Sequence, residues 1–271
     1  MIKSAVTLSL VPEARGGPFV FWDDEQRACD SAINLGFDAV EVFAPGPESL
    51  AASNWSPMLR DCGLALAAVG TGAGWVKHRL TLTDPDRAVR QRAVDFIRTM
   101  IDAGGVLHAP AVIGSMQGRW SDAVPRDAAL DHLRGALDTL GRHAAQYNVP
   151  LLYEPLNRYE TNLANTLESA VELLRSLTTD NVKLLADLFH MNIEEPAPAA
   201  SLRAAGDRVG HVHFADSNRR AVGLGHTDVV AVVAALGDIG YDGYVSAECL
   251  PYPDSDAAAA RTIESFRKFF R

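Results

Sequence analysis

Cysteine is scarce in this 271-residue chain, where Cys29, Cys62 and Cys249 form an odd set with no Cys-x-x-Cys spacing. That excludes a disulfide framework and the common redox and zinc-ribbon motifs, and it suits reduced thiols in a cytosol. Long apolar runs are also missing, and none approaches the roughly 20 residues that a membrane-spanning helix needs. Ala5–Val11 is followed by Pro12-Glu13 rather than a small-residue cleavage site, so it reads as a first strand and not as a signal core. Basic charge is in deficit: 25 Lys and Arg face 34 Asp and Glu, for a net charge of −9. A protein built to neutralise nucleic-acid phosphates has the opposite balance. No Gly-x-Gly-x-x-Gly fingerprint follows the first strand, since Gly16-Gly17 lacks that spacing, which argues against a dinucleotide-binding open sheet. Linkers, low-complexity tracts and composition shifts are absent too. The expectation is one freely soluble cytoplasmic domain over residues 1–271, without nucleic-acid or membrane partners.

What the chain does contain is a repeated unit: a short β-rich run, a polar loop, then a segment with helical periodicity. The expected strands are Ala5–Leu10, Ala39–Val42, Leu64–Val69, Val106–Ile113, Val149–Tyr153, Lys183–Ala186, Val209–Phe214 and Tyr244–Ala247. Amphipathic stretches such as Asp86–Asp102, Pro125–Tyr147 and Thr166–Leu177 lie between them. In the last, Leu167, Val171, Leu174 and Leu177 fall on one helical face. Gly36, Gly63, Gly104-Gly105, Asn148 and Gly240 stand where helices should stop. Eight strand–helix units in this length predict an α/β fold, a (β/α)8 TIM barrel, with a doubly wound sheet as the alternative.

In such a barrel the chemistry sits at the C-terminal ends of the strands. Leu151-Leu152-Tyr153 stops at Glu154, and Pro155 prevents the strand from simply continuing. A buried carboxylate must find a cation, a metal or a proton. Asp187 ends the sixth strand, His213 lies near the end of the seventh, and Glu248 ends the eighth. One such residue is usually a cap or an ion-pair partner; four on consecutive strands point to one metal site. Three carboxylates and an imidazole suit one divalent ion of the Mn, Mg or Co kind. His211, two residues before His213 on the same face, reads as a hydrogen-bonded interior histidine rather than a fifth ligand.

Three segments carry a resemblance: Glu154-Pro155-Leu156-Asn157-Arg158-Tyr159-Glu160, Phe189-His190-Met191-Asn192-Ile193-Glu194-Glu195, and His211-Val212-His213-Phe214-Ala215-Asp216-Ser217-Asn218-Arg219. They resemble the D-tagatose and D-psicose 3-epimerases, the ketose 3-epimerase family of the xylose-isomerase-like barrels. Ala68–Gly72, Leu80–Pro85, Gly118-Arg119 and Val245–Pro251 are more similar to a narrower branch, the 5-keto-L-gluconate epimerases. The likeness thins over the first 60 residues. It implies metal ligands at Glu154, Asp187, His213 and Glu248, with the two glutamates as the proton-transfer pair. It also implies substrate contacts at Glu160, His190 and Arg219, a keto-sugar or keto-sugar acid substrate (of the 5-keto-L-gluconate or D-tagaturonate type, or a ketohexose at C3), and a homodimer or homotetramer.

The expected reaction removes a proton beside a ketone and returns one to the opposite face of a planar enediolate, which takes two carboxylates. An aldose–ketose or hydroxypyruvate-type sugar isomerase would use the same site, an apurinic-site endonuclease would need more metal ligands and a basic face, and a sugar-binding protein would need no turnover. Arg119, after the fourth strand, is the candidate partner for a sugar-acid carboxylate, or else an exposed loop arginine. Trp75 and Trp120 could wall the pocket or simply pack. Gly223-Leu224-Gly225-His226 follows the seventh strand near the usual barrel phosphate site, without a helix-opening fingerprint.

Overall fold

Eight short apolar segments pair side by side, each in parallel with the next: β1 (Lys3–Ser9), β2 (Ala39–Phe43), β3 (Ala65–Gly70), β4 (Ala111–Ile113), β5 (Leu151–Tyr153), β6 (Val182–Asp187), β7 (Val209–His213) and β8 (Tyr244–Ala247). Pairing of β8 with β1, with Val6 opposite Ala247, closes the sheet into a barrel. A ninth strand of two residues, Phe21–Trp22, adds to the end of β1. This is a computed structural model, and it describes residues 1–270. Among them no helix is long and apolar enough to cross a membrane.

The connections are α1 (Glu25–Leu35), α2 (Ala52–Cys62), α3 (Ala73–His78), α4 (Arg87–Val106), α5 (Arg126–Ala144), α6 (Leu167–Arg175), α7 (Leu188–Glu194), α8 (Pro198–Ala205), α9 (Val229–Asp238) and α10 (Ser255–Phe270). Their starts and stops follow local chemistry. Thr166 caps α6 by accepting from the Ser169 amide, and Leu167, Val171 and Leu174 turn inward as the periodicity predicts. Gly36 and Gly63 end α1 and α2 in the left-handed conformation. Asn148 does the same after the turn that closes α5.

One strand differs from expectation. Val106 belongs to α4, and β4 begins only at Ala111, because left-handed His108 and Pro110 separate the two. Gly104-Gly105 accordingly lies inside the helix rather than at its end. A Cβ on Gly105 would strike the Tyr147 ring, so the glycine is there for close packing.

Alternation along the strands decides what faces the lumen. Ala68, Val112, Leu152 and Leu185 form one apolar layer inside the barrel. Two residues further along their strands, Leu152 and Leu185 give way to Glu154 and Asp187. On β7 the same step runs from His211 to His213. An apolar floor therefore carries a polar cup at the C-terminal rim.

Candidate active site

The cup opens into a cavity of about 330 Å3 lined by Glu41, Glu154, Glu160, His190, His213, Arg219 and Glu248 on its polar side. Phe19, Phe43, Trp75, Val76 and Leu156 line the apolar side, with Phe19 and Phe43 stacked at 4.7 Å. Such a volume lies at the small end of ligand sites.

Four donor groups converge. Single ligand atoms of Glu154, Asp187, His213 and Glu248 lie within 4.8 Å of one another. His213 Nδ1 is 3.4 Å from Glu154 Oε1, 3.4 Å from Asp187 Oδ2 and 3.6 Å from Glu248 Oε2. Asp187 spends its other oxygen on the Phe189 amide at the start of α7. Glu154 Oε1 is buried with no hydrogen-bond partner.

The electrostatics follow from crowding. Burial opposes charge on His213, but Glu41 and Glu248 outweigh it and hold the imidazole well above its usual range. Burial also opposes charge on Asp187, yet His190, His213 and Arg219 keep its carboxyl well below the ordinary carboxylate value. For Glu248 burial prevails: with Glu154 and Asp187 close by, its carboxyl is raised despite His213 and Arg219.

Around the cluster stand three further groups. His190 Nδ1 faces the Asn157 side-chain amide at 2.7 Å, so the proton belongs on Nε2. That nitrogen is buried without a partner, 3.6 Å from Asp187 Oδ2 and 3.9 Å from Glu154 Oε1. Arg219 donates to Glu248 Oε2 at 2.7 Å and lies over the Phe189 ring. Glu160 does not reach Glu154; it is 3.7 Å from Arg219, 3.9 Å from His190, and accepts from Asn157.

Similarity to known proteins gives the family. Residues 29–269 match the xylose isomerase-like TIM barrel family. A D-psicose 3-epimerase of Agrobacterium fabrum is 30% identical over 261 residues, covering 92% of this chain and 88% of that one. The chain belongs to the ketose 3-epimerase family. Its members here include an L-ribulose 3-epimerase of Methylomonas sp., 29% identical over 94% of this chain and 91% of its own. The crystal structure of a D-allulose 3-epimerase from Methylomonas sp. superposes with a TM-score of 0.82 at 25% identity, covering 99% of this chain and 98% of that one. As a family member the protein is a carbohydrate isomerase, an epimerase by kind.

Seven of the eight residues singled out in the sequence thus come together. The eighth, Arg119, does not: it is exposed, outside the cavity lining, and its guanidinium donates to the Tyr159 carbonyl. Trp75 lines the cavity, whereas Trp120 packs on the loop through Asn162. The Gly223–Gly225 turn has no free amides for a phosphate, because Gly223 and Gly225 both donate to Asp216.

The sequence reading missed Glu41, Gln117 and Gly114. Glu41 was visible as the lone acid in the apolar strand AVEVF. Gln117, fully buried, donates to the Glu154 carbonyl and accepts from the Tyr153 hydroxyl, fixing the backbone under Glu154. Gly114 had no signal beyond being a glycine after a strand; a Cβ there would run into Glu154 Oε2. Gly114→Ala should therefore displace the carboxylate and lower kcat by about 100-fold, the cost of a misplacement near 1 Å. Steady-state kinetics beside an unchanged far-ultraviolet dichroism spectrum checks this.

Proposed function

We propose that the protein is a divalent-metal-dependent ketose 3-epimerase that inverts C3 of an uncharged ketose through an enediolate. The convergence of Glu154, Asp187, His213 and Glu248 carries this reading. Three carboxylates this close around a single imidazole repel one another, and buried Glu154 Oε1 has no hydrogen-bond partner, so the cluster suits a bound cation. Oxygen and imidazole donors in this ratio fit Mn, Mg or Co, and these four side chains would hold the ion. When bound, such an ion polarises the substrate carbonyl and acidifies the adjacent C–H.

The remaining work falls to the side chains. Glu154 takes the C3 proton on one face and Glu248 delivers one on the other, the roles reversing for the opposite epimer. His190 offers Nε2–H to a substrate oxygen. Arg219 balances the charge of Glu248 and presents its own unpartnered Nε–H. Glu160 faces Arg219 at 3.7 Å and steadies His190 through Asn157, whose side-chain amide donates to both Glu160 Oε1 and His190 Nδ1. The apolar wall of Phe19, Phe43 and Trp75 shields the intermediate from water.

Two features favour an uncharged, unphosphorylated substrate over a keto-sugar acid. Arg219 is the single Lys or Arg lining the cavity among the described residues, and Glu248 already engages it. The amides beside the seventh strand are taken by Asp216. The D-psicose and L-ribulose 3-epimerase relatives point the same way.

The test is proton NMR in deuterium oxide with the Mn-loaded protein, offered D-fructose, D-tagatose, L-ribulose and 5-keto-L-gluconate in turn. Deuterium at C3 together with the C3 epimer is expected for one or more neutral ketoses, and EDTA should stop the reaction until Mn is restored. An aldehyde product, or turnover of the keto acid alone, overturns the reading.

A further inference from the structure

Glu41 is a carboxylate that the epimerisation does not use. It lies on β2, 5% exposed, and reaches across the lumen to β7, which is not a neighbour of β2 in the barrel. Each of its oxygens meets a different imidazole: Oε2 lies 2.8 Å from His211 Nε2, and Oε1 lies 3.0 Å from His213 Nε2. The two rings stand nearly perpendicular, 5.6 Å apart. A carboxylate between two imidazole nitrogens accepts from both, which places a proton on Nε2 of each ring.

The consequence for His213 is specific. With Nε2–H committed to Glu41, the proton that a metal displaces is the one on Nδ1, and Nδ1 is the nitrogen that faces Glu154, Asp187 and Glu248. We propose that Glu41 is a positioning residue that fixes the tautomer and ring angle of His213, and that His211 in turn anchors Glu41. This rests on the reading that the four-residue cluster holds a divalent ion. A histidine ligand oriented by a carboxylate on its far nitrogen is more basic and already aimed, and losing such a partner costs about 10–100-fold in metal affinity.

Glu41, His211 and His213 also lie close enough to be considered a second metal site. Separations of 2.8 and 3.0 Å between carboxylate and ring nitrogen are hydrogen-bond lengths, so the structure favours direct contact without an ion between them.

The experiment is Mn titration followed by electron paramagnetic resonance of free Mn, on the wild-type chain, Glu41→Gln and His211→Phe, with nitrogen-15 histidine NMR of the Mg-loaded proteins. The wild type should bind one ion, and its His213 should show the Nε2–H form. Glu41→Gln should bind the same single ion about 10–100-fold more weakly, with that NMR signature lost. His211→Phe should weaken binding several-fold; if Glu41→Gln does not fold, this variant decides the matter. Affinity within threefold of wild type in the variant that decides overturns the proposal, as does a second wild-type ion that disappears in Glu41→Gln. A wild-type chain that binds no ion overturns the metal reading itself.

Discussion

Glu248→Gln should abolish epimerisation while leaving the barrel folded. Gln keeps the volume and can still accept from Arg219 through its amide oxygen, so the 2.7 Å contact has a substitute. What disappears is a proton carrier on one face of the substrate and the charge of one metal-holding group, so the variant is assayed at saturating Mn. A positioned acid–base group contributes about 10²–10⁴-fold, and inversion cannot be completed from one side, so the loss should lie at the upper end of that range or beyond. Burial, which raises the Glu248 carboxyl, suits a group that must release a proton as readily as it takes one. The variant also has a signature that a merely damaged site lacks. Glu154 remains able to remove and return the C3 proton of one epimer on its own face. Deuterium should still enter that epimer from solvent, without inversion, and should not enter the other. Turnover at the wild-type rate would remove Glu248 from the catalytic pair, and equal exchange into both epimers would contradict the two-faced mechanism.

Asp216→Asn should cost about 3 kcal/mol of stability and misplace Arg219. Asp216 is 1% exposed, and its carboxylate holds the loop after β7 by accepting four backbone amides: Ser217 and Thr227 on Oδ1, Gly223 and Gly225 on Oδ2. An asparagine can serve one pair, but its NH2 would face the other pair donor to donor. Two backbone N–H groups lose their acceptor at about 1–3 kcal/mol each. For a chain this long that corresponds to roughly 2–4 °C in Tm per kcal/mol. Catalysis should suffer as well, since the Arg219 amide donates to the Asp216 carbonyl and Arg219 sits in the left-handed conformation inside this loop.

The same residue predicts a pH dependence. Burial opposes its charge, but the amides of Thr227, Gly225, Ser217 and Gly223 win and bring the Asp216 carboxyl down to about 2 from 3.8. A folded-state value below the unfolded one stabilises the fold above the unfolded pKa, and the gain is lost as pH falls through the folded one. The advantage of wild type over Asp216→Asn should therefore be full above pH 4 and shrink between about 4 and 2. Thermal denaturation of both proteins across that range measures it, and a gap that widens on acidification would contradict the assignment.

The sequence by itself determined the barrel and the four-residue cluster. Both are written in local patterns: an apolar run ending in Glu154, Asp187 or Glu248, and a two-residue period placing His213 on the lumen side of its strand. Each signal lies within a few residues of chain, so no contact map is needed to see it. The helix faces and the left-handed stops at Gly36, Gly63 and Asn148 are legible for the same reason. Where local pattern misled, as at Val106 and Gly104-Gly105, left-handed His108 with Pro110 had set the break, and close packing of Gly104 on Val69 and of Gly105 on Tyr147 had replaced propensity as the reason for the glycines.

Only the tertiary structure decided which of these groups meet and what lies around them. Glu41 finds His211 and His213 across 170 and 172 residues, a pairing that exists because β8 closes on β1 and leaves only those two strands between β2 and β7. Gly114 acquires its role from a carboxylate on the neighbouring strand, and Asp216 from amides up to 11 residues ahead in a folded loop. Arg119 stays outside the cavity, its guanidinium spent on the Tyr159 carbonyl. Strand ends announce chemistry through sequence pattern, whereas the partners that orient and neutralise that chemistry are set by barrel closure, which no single stretch of chain encodes.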